Sequence, residues 1–532
     1  MSFTSVMFLP FVFVAALLYF TVFRKCQWVW LLIASLVFYL LSGPKYIFFI
    51  LVTSFSTYLI ARRIYKIRTL ETEATSDKSI DREERKKISK KFTARCKGWL
   101  ALDLVLNFGI LAVIKYTDFA LSGVSRILSA FGVEWTAKTF SFVLPLGISF
   151  YTFMTVGYVL DVYWRRYAAE KNPLKLLLFS SYFPHIIQGP IGRYNKLKVQ
   201  FEERHYFDYD RVKKGIQLVL WGYFEKMVIA DRLAIFANGV YARWEETSGI
   251  PLILAIIFFS LQLYLDFQGC MDIARGVSQI FGIELEKNFW HPYFSKTMPE
   301  FWKRWHITLG NWFKDYLLYP VSMSKLCKAI DKFTRKKWGK NVSHAIATII
   351  PSACVWVITG IWHGAASRYL LWGIYHGILI IGGACLDIPF QKLGKLLRVN
   401  TDAWSFDLFR MIRTFILSAV GRIFFVSDGF HEAIAIMKKT FDITHLRLYT
   451  LWDKSLYTYG LNQRGFLLCI VLIFLIWFVS MKQEKGMVIR DEIAKQNLVF
   501  RWALTLLLIL AIITFGVYGE GYNASAFVYG QF

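Results

Sequence analysis

Charge and paired cysteine are both scarce in this 532-residue chain, and each shortage removes a class of protein. Only 19% of the residues are charged, against 56% hydrophobic and 18% aromatic, which is too little polar surface to cover a soluble domain of this length. The seven cysteines, Cys26, Cys96, Cys270, Cys327, Cys354, Cys385 and Cys469, show no paired spacing, so they spell neither a disulfide framework nor a metal site. A P-loop, a glycine-rich dinucleotide fingerprint and an internal repeat are all missing, which sets aside nucleotide-driven and solenoid architectures. No basic residue precedes the first apolar run, whereas Arg24 and Lys25 follow it. That order marks a retained anchor and not a cleaved signal peptide.

What is present is a series of apolar runs. Stretches able to cross a hydrocarbon core of about 30 Å recur near residues 3–23, 44–61, 98–115, 141–161, 213–236, 250–268, 345–362, 367–386, 464–481 and 501–518, with weaker ones at 27–42 and 405–425. The chain therefore reads as an all-α polytopic membrane protein of about 11 to 12 spans. "LLLFSSYFPHIIQGP", residues 176–190, is broken by Pro184, Gly189 and Pro190 and reads as a re-entrant element.

The net charge of +26 is carried by alternate connections. Residues 62–97 and 321–343 are strongly basic, while 116–140, 237–249 and 426–460 are close to neutral. By the positive-inside rule the basic stretches face the cytoplasm and both termini lie outside, with lipid and not nucleic acid as the expected charged partner. Residues 71–90 read as a solvated, flexible or helical insertion. Four segments follow: 1–97, N-terminal spans and basic loop; 98–390, a core holding the chemistry; 391–518, C-terminal spans; and 519–532, an external tail.

Polar chemistry is concentrated in the core. "FSLQLYLDFQGCMDIARG" places Asp266 and Asp272 in or beside a span, where carboxylates are costly unless paired or lining an aqueous cavity. Arg275 or backbone donors are the expected partners. Residues 288–320, "NFWHPYFSKTMPEFWKRWHITLGNWFKDYLLYP", are too aromatic and too charged to cross lipid simply and read as interfacial, with His306 at their centre. "VWVITGIWHGAASRYLLWGIYHG" puts His363 at the end of one span and His376 within the next, with Gly364, Ala365 and Ala366 small enough for close helix approach. A hydroxyl attacking a carbonyl must shed its proton, and imidazole is the side chain matched to that task near neutral pH. His306 and His363 are the histidines placed for it; His185, His291 and His376 read as helix-bridging.

The pair "PEFWKRWHITLGNWFKDYLLYP" and "GIWHGA…LLWGIYHG", with "LPLGISFYTF" (144–153), "FPHIIQGPIGRY" (183–194), "WGYFEKMVIADRLA" (221–234) and "FGIELEKNFWHPY" (281–293), resembles the membrane-bound O-acyltransferase (MBOAT) superfamily. It is particularly similar to the bacterial branch that acylates cell-surface polymers, containing alginate O-acetyltransferases and the D-alanine transferases of teichoic acid. The resemblance runs from about residue 95 to 390. It implies a multi-helix bundle pierced by a central tunnel in the bacterial cytoplasmic membrane, loaded from the cytoplasm and emptied outside. It also implies that His363 is the catalytic histidine and His306 its partner toward the cytoplasm, with Trp305, Arg304, Trp362, Asp315, Asp266 and Asp272 near the donor path. No bound cofactor or metal is expected. The donor would be acetyl-CoA or another acyl thioester, either CoA or a carrier protein's phosphopantetheine arm, and "YPVSMSK" at 319–325 departs from the alginate pattern, leaving that choice open. The acceptor would be a surface polysaccharide, reached with an extracytoplasmic SGNH-hydrolase-like partner.

A transporter or flippase is the competing class, since broken helices and buried carboxylates suit translocation, although no inverted repeat is visible. One more motif bears on the choice. The chain closes on "FVYGQF", residues 527–532, and Phe-x-Tyr-x-x-Phe resembles terminal segments of the surface-polymer branch, in which the matching Tyr529 would relay the acyl group. The 11 residues from Tyr518 to Tyr529 could extend up to roughly 36 Å, enough to fold back into an outer funnel.

Overall fold

The computed structural model describes residues 2–519 except 78, 134, 136–144 and 146. Among the described residues the regular structure is all helix, without a strand. Seven helices are long and apolar enough to cross a membrane: Pro44–Ser76, Arg82–Ala130, Ile250–Phe281, Ala345–His363, Ser367–Leu396, Gln463–Glu484 and Leu498–Phe515; Phe8–Phe20 and Gln27–Ser42 are shorter apolar helices. Of the other expected runs, residues 213–236 pass through a π-helical turn, Phe224–Ala230, that carries Glu225 and Lys226; residues 148–161 of the run 141–161 lie in the helix Ile148–Tyr163, and 405–425 lies in the continuous helix Trp404–Val426.

Two compact units result, residues 1–216 with 274–286 and residues 217–273 with 287–532. In the first, the basic stretch 62–97 is not a loop. Ile47–Ser76 and Arg82–Ala130 form a helical hairpin, because Glu, Lys, Arg and Ala all favour helix, and Asp81 caps the second helix by accepting from the Glu83 and Glu84 N–H groups. Glu71 ties the hairpin together through Arg68 (2.8 Å), Arg165 (2.6 Å) and Ser89 (2.7 Å). The broken stretch forms two short buried helices, Pro173–Ser181 and Phe183–Ile186. Ser180 meets Ser54 there, Oγ to Oγ, at 2.6 Å. Glu170 collects the Lys198 ammonium (2.8 Å), the Tyr194 hydroxyl and the N–H groups of Lys171 and Asn172. Burial pushes its carboxyl up, but these donors outweigh burial and hold it down at about 2.

The second unit holds the chemistry. Helix Ile250–Phe281 meets the helix before the π-turn at a glycine pair: a Cβ on Gly222 would lie 2.5 Å from the Gly269 carbonyl oxygen. That approach brings Lys226 onto Asp266, with Asp231 at 2.7 Å on its other side. Asp266 thus pairs with Lys226, and Asp272 accepts from Gln268 at 2.9 Å. Lys325–His363 and Ser367–Leu396 form a second hairpin that closes tightly at Gly360 and Gly373. A Cβ on Gly373 would sit 2.4 Å from the Trp356 carbonyl oxygen.

Candidate active site

His363 ends the Lys325–His363 helix and is buried. Its ring lies against Trp362 (4.8 Å between centroids), Trp372 (4.7 Å) and Phe425 (5.6 Å). Gly364 follows because a side chain there would strike the Tyr369 ring at 2.3 Å. His306 reaches the same indole from another segment, its ring 6.1 Å from that of Trp362. The two histidines that the sequence singles out therefore both pack against one tryptophan.

The interfacial reading of 288–320 appears as a string of short helices, Met298–Arg304, Ile307–Phe313 and the π-turn Lys314–Leu318, joined at His306. That residue adopts φ 47°, ψ 52°, a left-handed conformation unfavourable for a side chain with Cβ. Residues 288–290 hold the bend: the Ile307 N–H donates to the Asn288 carbonyl (2.8 Å) and the Trp290 N–H to that of Arg304 (2.9 Å).

Asn288, which sequence reasoning missed, then sets the imidazole. Its Oδ1 accepts from the Thr308 N–H (3.0 Å) and hydroxyl (2.9 Å) and lies 3.2 Å from His306 Nδ1. A peptide N–H can only donate, so Oδ1 is an acceptor and His306 Nδ1 carries the proton. Nε2 is left as the basic nitrogen of a neutral ring. Burial lowers the His306 pKa to about 3 and, with Arg304 and Lys287 nearby, that of His291 to about 4, so both are uncharged at neutral pH.

The remaining sequence candidates fall into three groups. Trp305 is buried, packed on Phe289 (5.1 Å) and Phe301 (5.5 Å), and Trp362 touches both histidines. Arg304 is engaged by Glu300 (2.8 Å) and Glu484 (2.7 Å), and Asp266 by Lys226. Asp315 is half-buried in the π-turn. Of the other histidines, His185 meets the Phe179 carbonyl at 3.0 Å and His376 packs among Trp302, Trp356 and Trp372. No cluster of metal-ligating side chains occurs among the described residues. Tyr529 and the whole of 527–532 lie outside the described residues.

The chain belongs to the membrane-bound O-acyltransferase family, whose profile matches residues 169–331. Over 341 residues it is 32% identical to a probable alginate O-acetylase AlgI of Pseudomonas syringae pv. tomato, covering 64% of this chain and 60% of that one. It is 30% identical over 379 residues to a peptidoglycan O-acetyltransferase of Helicobacter pylori (66% and 63%), and 30% identical over 292 residues to a teichoic acid D-alanyltransferase of Bacillus subtilis (54% and 70%). The match thus spans under two thirds of the length of the alginate and peptidoglycan relatives.

Proposed function

We propose that this protein transfers an acyl group, acetyl in the first instance, from a cytoplasmic thioester to a hydroxyl of an extracytoplasmic polysaccharide. The observation that carries the reading is the placement of His363 and His306 against the same indole, that of Trp362, in a member of a family whose similar relatives are named for O-acetyl and D-alanyl transfer. In the step itself, the His363 imidazole takes the proton of the Tyr529 hydroxyl as that oxygen attacks the thioester carbonyl, and the tyrosyl ester so formed is passed on to the polymer hydroxyl. The C–S bond breaks, the thiolate leaves, and the imidazolium returns the proton to sulfur. Asn288 fixes the tautomer of His306 so that its basic nitrogen faces the donor path, and the aromatic walls exclude the water that would hydrolyse the thioester.

Acetyl is the group that the names of the two O-acetyl relatives favour, and acetyl-CoA is the donor we propose for it. The D-alanyl relative, 70% of whose length is matched, favours instead a D-alanyl or other acyl group delivered on a carrier protein to a teichoic-acid-like polymer. In either case the protein acts in a bacterial cytoplasmic membrane, with its termini outside and with an extracytoplasmic SGNH-hydrolase-like partner completing delivery. The test is purified protein with labelled acetyl-CoA and, in parallel, labelled D-alanyl carrier protein. Transfer should be lost in His363→Ala; a variant that transfers normally refutes the role of His363, and wild-type protein that transfers neither group refutes the transfer reading.

A further inference from the structure

The long helix Lys325–His363 is not one straight rod, and its first part takes no step in the transfer. At Gly339 the backbone leaves the helical region (φ 82°, ψ 174°), with a left-handed φ that suits glycine. Ser343 then comes back onto Asp331. Its hydroxyl meets the Asp331 carbonyl at 2.8 Å, the Asp331 carboxylate at 2.7 Å and the Thr334 hydroxyl at 2.8 Å. In an uninterrupted helix residues 331 and 343 would stand about 18 Å apart, so the chain folds back at Gly339. Residues 325–338 are thereby held beside the start of the Ala345–His363 span, which is the level of the lipid headgroups.

This segment has three faces. Cys327 and Thr334, two helical turns apart, are buried. Lys325, Lys328, Lys332 and Lys336, spaced by three and four, share a second face, and all are exposed. Leu326, Ile330 and Phe333, spaced by four and three, form a third, on which Leu326 is 60% and Phe333 64% exposed. Residues 321–343 carry seven basic residues against one acid, Asp331, and Asp331 is taken by Arg335 (3.2 Å) and Ser343. None of the four lysines meets a carboxylate among the described residues. Water satisfies the lysines but not the leucine and phenylalanine beside them; a charged lipid surface satisfies both.

We propose that residues 325–338 form a docking surface for anionic lipid. The segment lies in the plane of one leaflet, with Leu326, Ile330 and Phe333 sunk among the acyl chains and Lys325, Lys328, Lys332 and Lys336 against the headgroup phosphates. Charge selects the occupant. A zwitterionic leaflet covers the apolar stripe equally well but brings no net counter-charge to the four lysines, whereas phosphatidylglycerol meets both faces. An acidic protein would answer the lysines, yet it leaves unexplained an apolar stripe held at headgroup level beside a span.

The test uses the full chain in neutral detergent, titrated with phosphatidylglycerol and with phosphatidylcholine of the same acyl chains, and reads by native mass spectrometry how much of each lipid stays bound. Wild type should retain phosphatidylglycerol severalfold better. The combined variant Lys325→Gln, Lys328→Gln, Lys332→Gln, Lys336→Gln should lose most of that preference. A matched variant in the other basic stretch, Lys86→Gln, Lys87→Gln, Lys90→Gln, Lys91→Gln, should keep it, and Leu326→Ser with Phe333→Ser should retain severalfold less phosphatidylglycerol than wild type. The assignment falls if wild type holds the two lipids equally, if the 325–336 variant keeps the preference, or if the 86–91 variant loses it as fully. Should the 325–336 variant fail to fold, unchanged phosphatidylglycerol retention in Leu326→Ser with Phe333→Ser overturns it equally. Binding of an acidic acyl carrier protein in place of the lipid, lost in the same lysine variant, would make the face a protein dock and also overturn it. Acyl transfer is not read, so this result stands apart from the fate of the transferase assignment.

Discussion

Replacing Asn288 by alanine isolates the contribution of the group that orients His306. Oδ1 of Asn288 receives three hydrogen bonds in a fully buried place. Its removal strands the Thr308 N–H and the His306 Nδ1–H, while the Thr308 hydroxyl can turn to another acceptor. Each stranded buried donor costs about 1–3 kcal/mol, so Asn288→Ala should destabilise the protein by about 2–6 kcal/mol. With its tautomer and direction released, His306 should also leave the transfer geometry, slowing acyl transfer roughly 100-fold. The assay is a double-mutant cycle on the transfer rate of purified protein. If Asn288 acts through His306, Asn288→Ala combined with His306→Ala should transfer no more slowly than His306→Ala alone. Losses that multiply, or an Asn288→Ala rate within twofold of wild type, would refute the coupling.

Other expectations follow from the same structure. Folded-state burial lowers the His306 pKa to about 3 from an unfolded value near 6.5, so the unfolded chain binds the proton first. His306 therefore contributes stability fully above about pH 6.5 and loses roughly 1.4 kcal/mol per pH unit as pH falls toward its folded value. A His306→Gln variant should show a correspondingly shallower acid limb in melting experiments between pH 6 and 4, and an identical limb would contradict the burial argument. Lys226→Met strands two carboxylates, Asp231 and Asp266, and should cost about 3–5 kcal/mol. Asp266→Asn leaves Lys226 its other partner and should cost less; the reverse order in chemical denaturation would be inconsistent with the pairing. Tyr529→Phe should fold normally yet abolish polymer acylation in cells, and retained acylation would return the terminal motif to an aromatic anchor.

Much of this organisation is legible in the sequence because membrane burial writes it plainly. Apolar runs gave the long helices, and the tryptophan-flanked His306 and His363 stood out as imidazoles in a segment otherwise built for packing. The span count was not legible to the same degree: Glu225 and Lys226 sit within an apolar run, and a sum over hydropathy cannot see the π-turn they occupy. Charge misled in the basic hairpin, since a pattern that reports sidedness says nothing against helix, and residues on either side of 77–81 are strong helix formers. Lys226 carried a usable signal, because a carboxylate such as Asp266 in one span calls for a cation in another. Asn288 did not. It lies 18 positions from His306, and only the backbone clamp over 288–290 and 304–308 brings the two together.

The left-handed backbone at His306 has a consequence for how controls should be chosen. A glycine adopts that conformation freely, whereas any residue with a Cβ is strained by about 1–2 kcal/mol. Folding alone would thus favour glycine at position 306, and an imidazole persists there against the preference of its own backbone. The loss-of-function control with the least structural penalty is consequently His306→Gly and not the customary alanine. Of the two, the glycine protein should melt at the higher temperature while lacking the same imidazole, which separates what this residue does for the reaction from what it costs the fold.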